Sequence, residues 1–323
     1  MRMCSGVIKY RQLKEESLML IAIDHGNSAI KTVHYNFVAG LSRHSVRPPM
    51  ADEVLEYDGS YWTLSGQRQA YQRDKTRDES YFILTLFAIA KEMVHAGGLS
   101  STAKIDLAVG LPPEHYGILR DKFRQYFKRE ESIQFIYNEK PVTIMIRDVF
   151  VYPQAYAAIA PRKGQLNHHL RVFLIDIGGY TTDVLLLRSG KPDMLFCRSL
   201  EKGVIDMNNN IIRLIGVRHD MLIEEEHINA VLCGRETILP DEVKDTIRQS
   251  AEQYAKGILD KLRELQVDLR SNPAVFIGGG SALFRPYLEK SPLVAQATFV
   301  ESPNANAIGY QAMAEAQLSL RTV

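Results

Sequence analysis

The sequence is poor in several features, and each shortage removes a class of explanation. Three cysteines occur, Cys4, Cys197 and Cys233, with no C-x-x-C pair and no histidine at ligand spacing. An odd, scattered set argues against a disulfide framework and fits a reducing, cytoplasmic setting. Neither sign of charge is in excess: 39 basic against 38 acidic side chains leave a formal net charge of +1. No global field therefore draws in nucleic acid or anionic lipid, so direct DNA binding and membrane attachment are not expected. No apolar run nears the roughly 18 residues of a membrane span, and the opening stretch has no apolar segment of the secretory-leader kind. The Walker A spacing G-x-x-x-x-G-K-[ST] is also missing.

What is present is 323 residues, more than a single core usually encloses, so two domains are expected. An apolar fraction of 46% and a charged fraction of 24% are ordinary for a globular chain. Residues 1–17, MRMCSGVIKYRQLKEES, are polar and unpatterned and read as an N-terminal extension, a flexible arm or the product of an upstream start. Alternating β-branched residues mark strands over Leu18–Ile23 and Ile30–Phe37. EYDGSYWTL reads as a hairpin turning at Asp58-Gly59. A helix follows in DESYFILTLFAIAKEMVHAGG, with Asp78 as N-cap, Gly97 as stop, and Tyr81, Leu84, Phe87 and Met93 on its core stripe. KIDLAVGLPP is a buried strand. Residues 113–129 form an amphipathic helix whose basic run, LRDKFRQYFKRE, reads as a solvated face. IQFIYNEKPVTIMIRDVFVYP is a long hairpin turning at Asn138-Glu139-Lys140, and a short helix from Pro153 to about Ala160 completes a first domain over 18–160.

APRKGQLNHHL is turn-rich and serves as the junction; its neighbouring His168 and His169 lack the i, i+4 spacing of a helical ligand pair and read as an exposed loop. A second domain over 161–323 then restarts the pattern. Strands are expected at 171–177, 182–188 and 193–198, and helices near 204–216, 224–232 and 241–267. AVFIGGG is a further strand, followed by a helix from Ala282. A last helix, about 304–317, is expected to cross back to the first domain. The repeat of strand, Asp-x-Gly turn, strand and later helices is that of a duplicated domain.

The two turns, IAIDHGNSAIKTV (21–33) and FLIDIGGYTTDVL (173–185), carry the chemistry. A hairpin with glycine after an aspartate lets backbone N–H groups converge on anionic oxygens, most often phosphate. Asp24 and Asp176 repel phosphate themselves, and make sense around a hard divalent cation held by one or two carboxylates plus phosphates and waters. Lys31, on the following strand, adds a point charge for the β- and γ-phosphates. His25 points opposite to Asp24 and reads as a packed spectator. In AVFIGGGSALFRPYLE a strand runs into three glycines, Ser281 and a helix; Gly278–Gly280 either let a ring or ribose approach the backbone or simply make a tight turn.

IAIDHGNSAIK resembles the phosphate-1 motif, LIDIGGYTTD the phosphate-2 motif and VFIGGGSAL the adenosine motif of the actin, sugar-kinase and DnaK-type chaperone ATPases. VFVYPQAYAAI (149–159) and SPNANAIGYQAMA (302–314) resemble the two connecting helices. All five occur in order over nearly the whole chain, and DIGGYTTDVLLL is most similar to the plasmid-segregation actins of the ParM type. The resemblance implies an α/β fold of duplicated actin-like (ribonuclease H-like) domains, mixed sheets flanked by helices, with a nucleotide cleft between them. It implies an ATPase that polymerises head to tail, depolymerises after hydrolysis and moves plasmid DNA through a DNA-binding adaptor protein at a centromere-like site. The cofactors implied are ATP, with GTP left open, and Mg2+ held by Asp24 and Asp176 largely through water.

Position by position, Asp24, Gly26, Asn27, Ser28 and Lys31 match phosphate-1. Asp176, Gly178, Gly179, Tyr180 and Thr181 match phosphate-2, and Gly279, Gly280 and Ser281 match the adenosine loop. Gly203 resembles the glycine flanking the nucleotide. Gln154 falls where actin has a water-orienting glutamine and some plasmid actins a glutamate, which assigns it and Asp176 to hydrolysis. Two other classes stay open. A small-molecule kinase of the sugar-kinase branch needs an acceptor-binding insertion that the chain does not display. A nucleotide-switched cell-division or cell-shape scaffold needs an amphipathic anchor, and AEAQLSLRTV has too weak an apolar face.

Overall fold

The computed structural model describes residues 17–321. The expected extension, with Cys4, lies outside the described residues except for Ser17, which opens the first strand. The first half runs β1 (Ser17–His25), β2 (Ala29–Lys31), β3 (Asn36–Val38), β4 (Leu41–His44), β5 (Leu55–Tyr57), β6 (Ser60–Leu64), α1 (Ser80–His95), β7 (Thr102–Leu111), α2 (Pro113–Phe127), β8 (Ile133–Tyr137), β9 (Lys140–Pro153) and α3 (Tyr156–Ile159). A 3-10 turn over Ala160–Leu166 leads to the second half. That half runs β10 (Arg171–Ile177), β11 (Thr182–Arg188), β12 (Lys191–Leu200), α4 (Val204–His219), α5 (Glu225–Leu232), α6 (Asp241–Glu264), β13 (Ala274–Ile277), α7 (Gly279–Leu288), β14 (Ala297–Phe299) and α8 (Ala305–Arg321).

The duplication is written in the strand order. The second sheet reads β12-β11-β10-β13-β14, and five strands of the first read β3-β2-β1-β7-β9. In both, the first three strands pair antiparallel and the last two join in parallel. The first sheet then continues through β8, β5, β6 and β4.

Side-chain alternation decides what covers each face. On β10, Phe173, Ile175 and Ile177 join the core under α4, α6 and α7, whereas Val172 and Leu174 pack with Ala155, Ala158 and Ile159 around α3. On β1, Ile21 and Ile23 face the core that holds α1, and Ala22 joins Tyr310 and Ala314 of α8. Both central strands are therefore buried on two faces, which is why they read as continuous apolar runs. Each half lends a helix to the back of the sheet in the other. The two lent helices cross so closely that a Cβ at Gly309 would sit 1.9 Å from the Ala157 carbonyl oxygen.

Several expected elements change shape. The strand expected over Ile30–Phe37 is two strands, because Thr32 and Tyr35 close a turn: the Thr32 N–H donates to the Tyr35 carbonyl at 2.8 Å and the Tyr35 N–H to Thr32 Oγ1 at 2.9 Å. The helix expected from Pro153 starts only at Tyr156, since Pro153 ends β9 and Ala155 takes φ +61°. The helix expected from Ala282 starts at Gly279, so two of the three glycines are its first turn. Asp78 accepts the Ser80 N–H at 2.9 Å, but Glu79 is the residue at the N-cap. The hairpin at Asp58-Gly59, both at positive φ, is as expected, as are the burial of Tyr81, Leu84, Phe87 and Met93 and of the spectator His25. His25 stacks on Phe127 and bonds Thr85 at 2.8 Å, and burial, then Lys75, lowers its pKa to about 3. No helix among the described residues is long and apolar enough to cross a membrane.

Candidate functional site

Strands β1 and β10 each end in an aspartate and a glycine turn, and the shared topology sets the two turns against each other. In the first, the Gly26 N–H folds back on the Asp24 carbonyl at 3.1 Å, and a Cβ at Gly26 would lie 2.6 Å from the Ala29 carbonyl oxygen. In the second, the Gly178 N–H donates to the Thr181 carbonyl at 2.8 Å. The carbonyls of Gly178 and Gly179 accept the first N–H groups of α4, from Val204 at 3.1 Å and Ile205 at 2.8 Å. With those carbonyls turned back toward α4, the N–H groups of Asn27, Ser28, Gly179 and Tyr180 have no acceptor among the described residues. Free amides converging at two turns form the concave donor sets that hold phosphate oxygens. The turns touch: a Cβ at Gly179 would be 2.8 Å from Ser28 Cβ and Oγ.

The carboxylates meet at Asn306, in the first turn of α8. Its Nδ2 donates to Asp176 at 3.1 Å and reaches Asp24 at 3.5 Å, while its Oδ1 accepts the Ala155 N–H at 3.0 Å. Gln154, at the exit of β9, donates to the other Asp24 oxygen at 2.6 Å. Burial raises the Asp176 pKa to about 6, against the pull of Asn306 and Lys31. A gap of about 100 Å3 lies among these groups. A groove of about 550 Å3 between α6 and α7 is larger but is lined by surface residues such as Glu252, Lys256 and Arg263. The small gap, where donors and carboxylates converge, is the candidate site.

Of the residues singled out in the sequence, Asp24, Gly26, Asn27, Ser28 and Lys31 line the gap, as do Gln154, Asp176, Gly178, Gly179, Tyr180 and Thr181. Four do not. Gly203 stands behind the second turn, where a Cβ would lie 2.3 Å from the Gly179 carbonyl oxygen. Gly280 packs on Ile177 and Val204, and Ser281 is buried with its hydroxyl on the Gly278 carbonyl at 2.7 Å. Gly279 faces open space. Of the glycine triplet, the member that lines the gap is Gly278, at φ +85° with Asp176 where a Cβ would be.

The sequence reading missed Asn306, Asp183, His115, Tyr71 and Lys75, all lining the gap. Asp183 lies opposite Asp176 on β11 and accepts from Thr181 Oγ1 at 2.8 Å; its Oδ1 has no partner, and burial raises its pKa. Burial, then Arg73, lowers the pKa of His115. Tyr71 and Lys75 belong to residues 65–79, which strap the first domain to the second. Arg68 bonds Glu225 of α5 through both terminal guanidinium nitrogens, Tyr71 packs on Tyr180 with centroids 5.1 Å apart, and Asn27 Oδ1 accepts from the Gln72 N–H at 2.9 Å. The strap's charges hid its role, because a run such as QRDKTRD reads as solvated surface.

A divalent cation fits the donor set in one way. Among the described residues no three His, Cys, Asp or Glu side chains cluster as a metal cage. Asp24 and Asp176 converge on one amide, which suits a cation that takes its other ligands from phosphates and water.

Two family models match the sequence: the N-terminal domain of actin-like proteins over residues 22–156, and the C-terminal part of archaeal MreB-like actin homologues over residues 174–290. Similar solved structures include Ta0583, an archaeal actin homologue in complex with ADP, at 18% identity over 92% of this chain and 99% of that one, with a TM-score of 0.71. The actin-like protein Alp7A aligns at 13% identity over 94% and 98% of the two chains, TM-score 0.75. A 15-stranded ParM filament from Clostridium botulinum aligns at 18% identity over 93% and 99%, TM-score 0.72. No curated protein sequence matches. At these identities the solved structures establish the fold.

Proposed function

This chain belongs to the actin-like proteins, and from that premise we propose that it binds Mg-ATP between its two domains, hydrolyses it and polymerises with it into filaments that segregate plasmid DNA. The observation that carries the reading is the meeting of two amide-rich turns with Asp24 and Asp176 joined through Asn306. The ADP complex of the archaeal homologue supports a nucleotide there, and the ParM and Alp12 filament structures support self-assembly. Head-to-tail contacts of this kind give open polymers. With a net charge of +1, attachment to DNA runs through an adaptor protein rather than through this chain's own surface.

Hydrolysis of a phosphoanhydride needs positioning and charge stabilisation above all. The free amides of Asn27, Ser28, Gly179 and Tyr180, with Lys31, hold the phosphate oxygens. Asp24 and Asp176 would hold Mg2+, which supplies charge neutralisation at the β- and γ-phosphates. Gln154 orients the attacking water through its carbonyl and amide, having no group that can act as a base. Asp176 assists through a second water, and Asp183, made more basic by burial, is a second carboxylate able to accept the proton. The present gap of about 100 Å3 is smaller than the usual few hundred Å3 of a ligand site, so the turns part to admit nucleotide.

Right-angle light scattering and negative-stain electron microscopy, with Mg-ATP and with Mg-ADP, test the proposal. Scattering should rise on ATP, fall as phosphate is released, and coincide with filaments on the grid. A chain that converts ATP to ADP only when a small hydroxylated acceptor is added, with the phosphoryl group passing to that acceptor rather than to water, would instead belong to the kinase branch.

A further inference from the structure

Lys75 is buried at 7% exposure and lines the gap between the two turns. Its side chain lies over the Tyr81 ring, 5.7 Å from the centroid, and among the described residues its ammonium has neither a hydrogen-bond acceptor nor an ion-pair partner. A buried ammonium without a counter-ion is unfavourable and is rarely kept for stability. Of the carboxylates near enough to attract it, Asp24 bonds Gln154 and Asn306 and Asp183 accepts from Thr181 through one oxygen, and neither forms an ion pair with it. The facing groups of α2 and β1, His115 and His25, supply no negative charge, and each has its pKa lowered in part by Lys75 itself. What the position lacks is an anion.

We propose that Lys75 binds the terminal phosphate of the nucleoside triphosphate and that this contact makes closure of the strap depend on a triphosphate rather than a diphosphate. The inference rests on the reading of the cleft as a nucleotide site and adds the residue that tells its two nucleotide states apart. Lys31 reaches the gap from β2, where it pairs in register with Asp24 of β1. Lys75 reaches it from the strap, within range of the charges of Asp24 and Asp183, and Gln154, which donates to Asp24, lines the same gap. A phosphate between them replaces the missing counter-ion of Lys75. The flanking residues Asp74 and Tyr71 transmit its position: Asp74 is bonded to Thr76 and tied to Lys122 of α2, and Tyr71 rests on Tyr180. Loss of the terminal phosphate leaves Lys75 unpaired again and loosens the strap, with its Arg68–Glu225 tie.

The test is calorimetric titration of the full chain with Mg2+ and either ADP or a non-hydrolysable ATP analogue, for wild type, Lys75→Met and Lys31→Met. A charge-assisted contact predicts about a 10- to 100-fold loss of analogue affinity in Lys75→Met with ADP affinity held within about threefold, whereas Lys31→Met weakens both. Thermal unfolding without nucleotide should hold or rise in Lys75→Met, since no hydrogen bond or ion pair is lost and relief from burying the charge offsets the contact with the Tyr81 ring. Lys75→Gln should repeat the pattern and guards against a packing artefact at Met. Equal weakening of ADP and analogue, unchanged analogue affinity, or a lowered melting temperature in both variants would overturn the assignment. A wild-type chain that binds neither nucleotide would overturn the cleft reading itself.

Discussion

Asp176→Asn removes the charge of one cleft carboxylate and keeps its shape and its ability to accept from Asn306. Burial is the main cause of the raised Asp176 pKa, from 3.8 to about 6, with Asn306 and Lys31 opposing it and Asp24 adding to it. That rise corresponds to about 3 kcal/mol between the protonated and ionised forms. The folded state holds the proton more tightly than the unfolded chain. The native state therefore gains fully below about pH 4, and the gain is lost as pH rises through about 6. Wild type without nucleotide should lose up to about 3 kcal/mol across that window from this group, while the variant should not. Urea unfolding at a series of pH values reads the difference directly: near zero in acid, and in favour of the variant by about 2–3 kcal/mol at neutral pH. With Mg2+ and nucleotide the order should reverse, because the ionised carboxylate then has a cation to hold. A stability difference that does not change with pH, or one that favours wild type at neutral pH without ligand, would refute the claim that Asp176 is a strained, ligand-seeking carboxylate.

Gln154→Ala should leave nucleotide affinity within a few-fold and slow phosphate release by about 100-fold, measured by single-turnover assay; unchanged release removes Gln154 from the mechanism. Arg68→Ala unties the strap from Glu225 and should cost about 1 kcal/mol of closure, seen as a faster off-rate for a fluorescent ATP analogue with the melting temperature little changed. Gly309→Ala places a methyl group 1.9 Å from the Ala157 carbonyl oxygen and should destabilise the chain by about 3 kcal/mol. Denaturant midpoints check this, and Ile308→Ala, at a partly exposed neighbour, serves as the mild control.

The elements legible in the sequence were those with a strong local signal. The apolar runs of β1 and β10 stand out because both their faces are covered, and the turns at Asp58-Gly59 and Asn138-Glu139 declare themselves by residue type. The break between β2 and β3 was not visible, since Thr32 and Tyr35 end the strand through a hydroxyl and a carbonyl that alternation does not register. The two glycine turns could be found because glycine is required there by close approach, at Gly26 against Ala29 and at Gly179 against Ser28. Gly280 and Ser281 carried the same kind of signal for a different reason, tight packing of α7 against Ile177 and Val204. Asn306, Asp183 and Lys75 had no local signature at all. Asn306 gains its meaning from Asp24 and Asp176, each more than one hundred residues away, Asp183 from facing Asp176 across a strand pair, and Lys75 from the want of a partner.

The exchange of α3 and α8 between the sheets bears on how the protein is made. Until α8 has left the ribosome, Ala22, Ala108 and Phe150 present a bare apolar back to the first sheet, and the asparagine that reconciles Asp24 with Asp176 is not yet in place. The first half should thus wait in a sticky, half-clothed state throughout synthesis of the second. Its completion is a final stitch rather than an early event, and translation pauses late in the message should be tolerated worse than early ones.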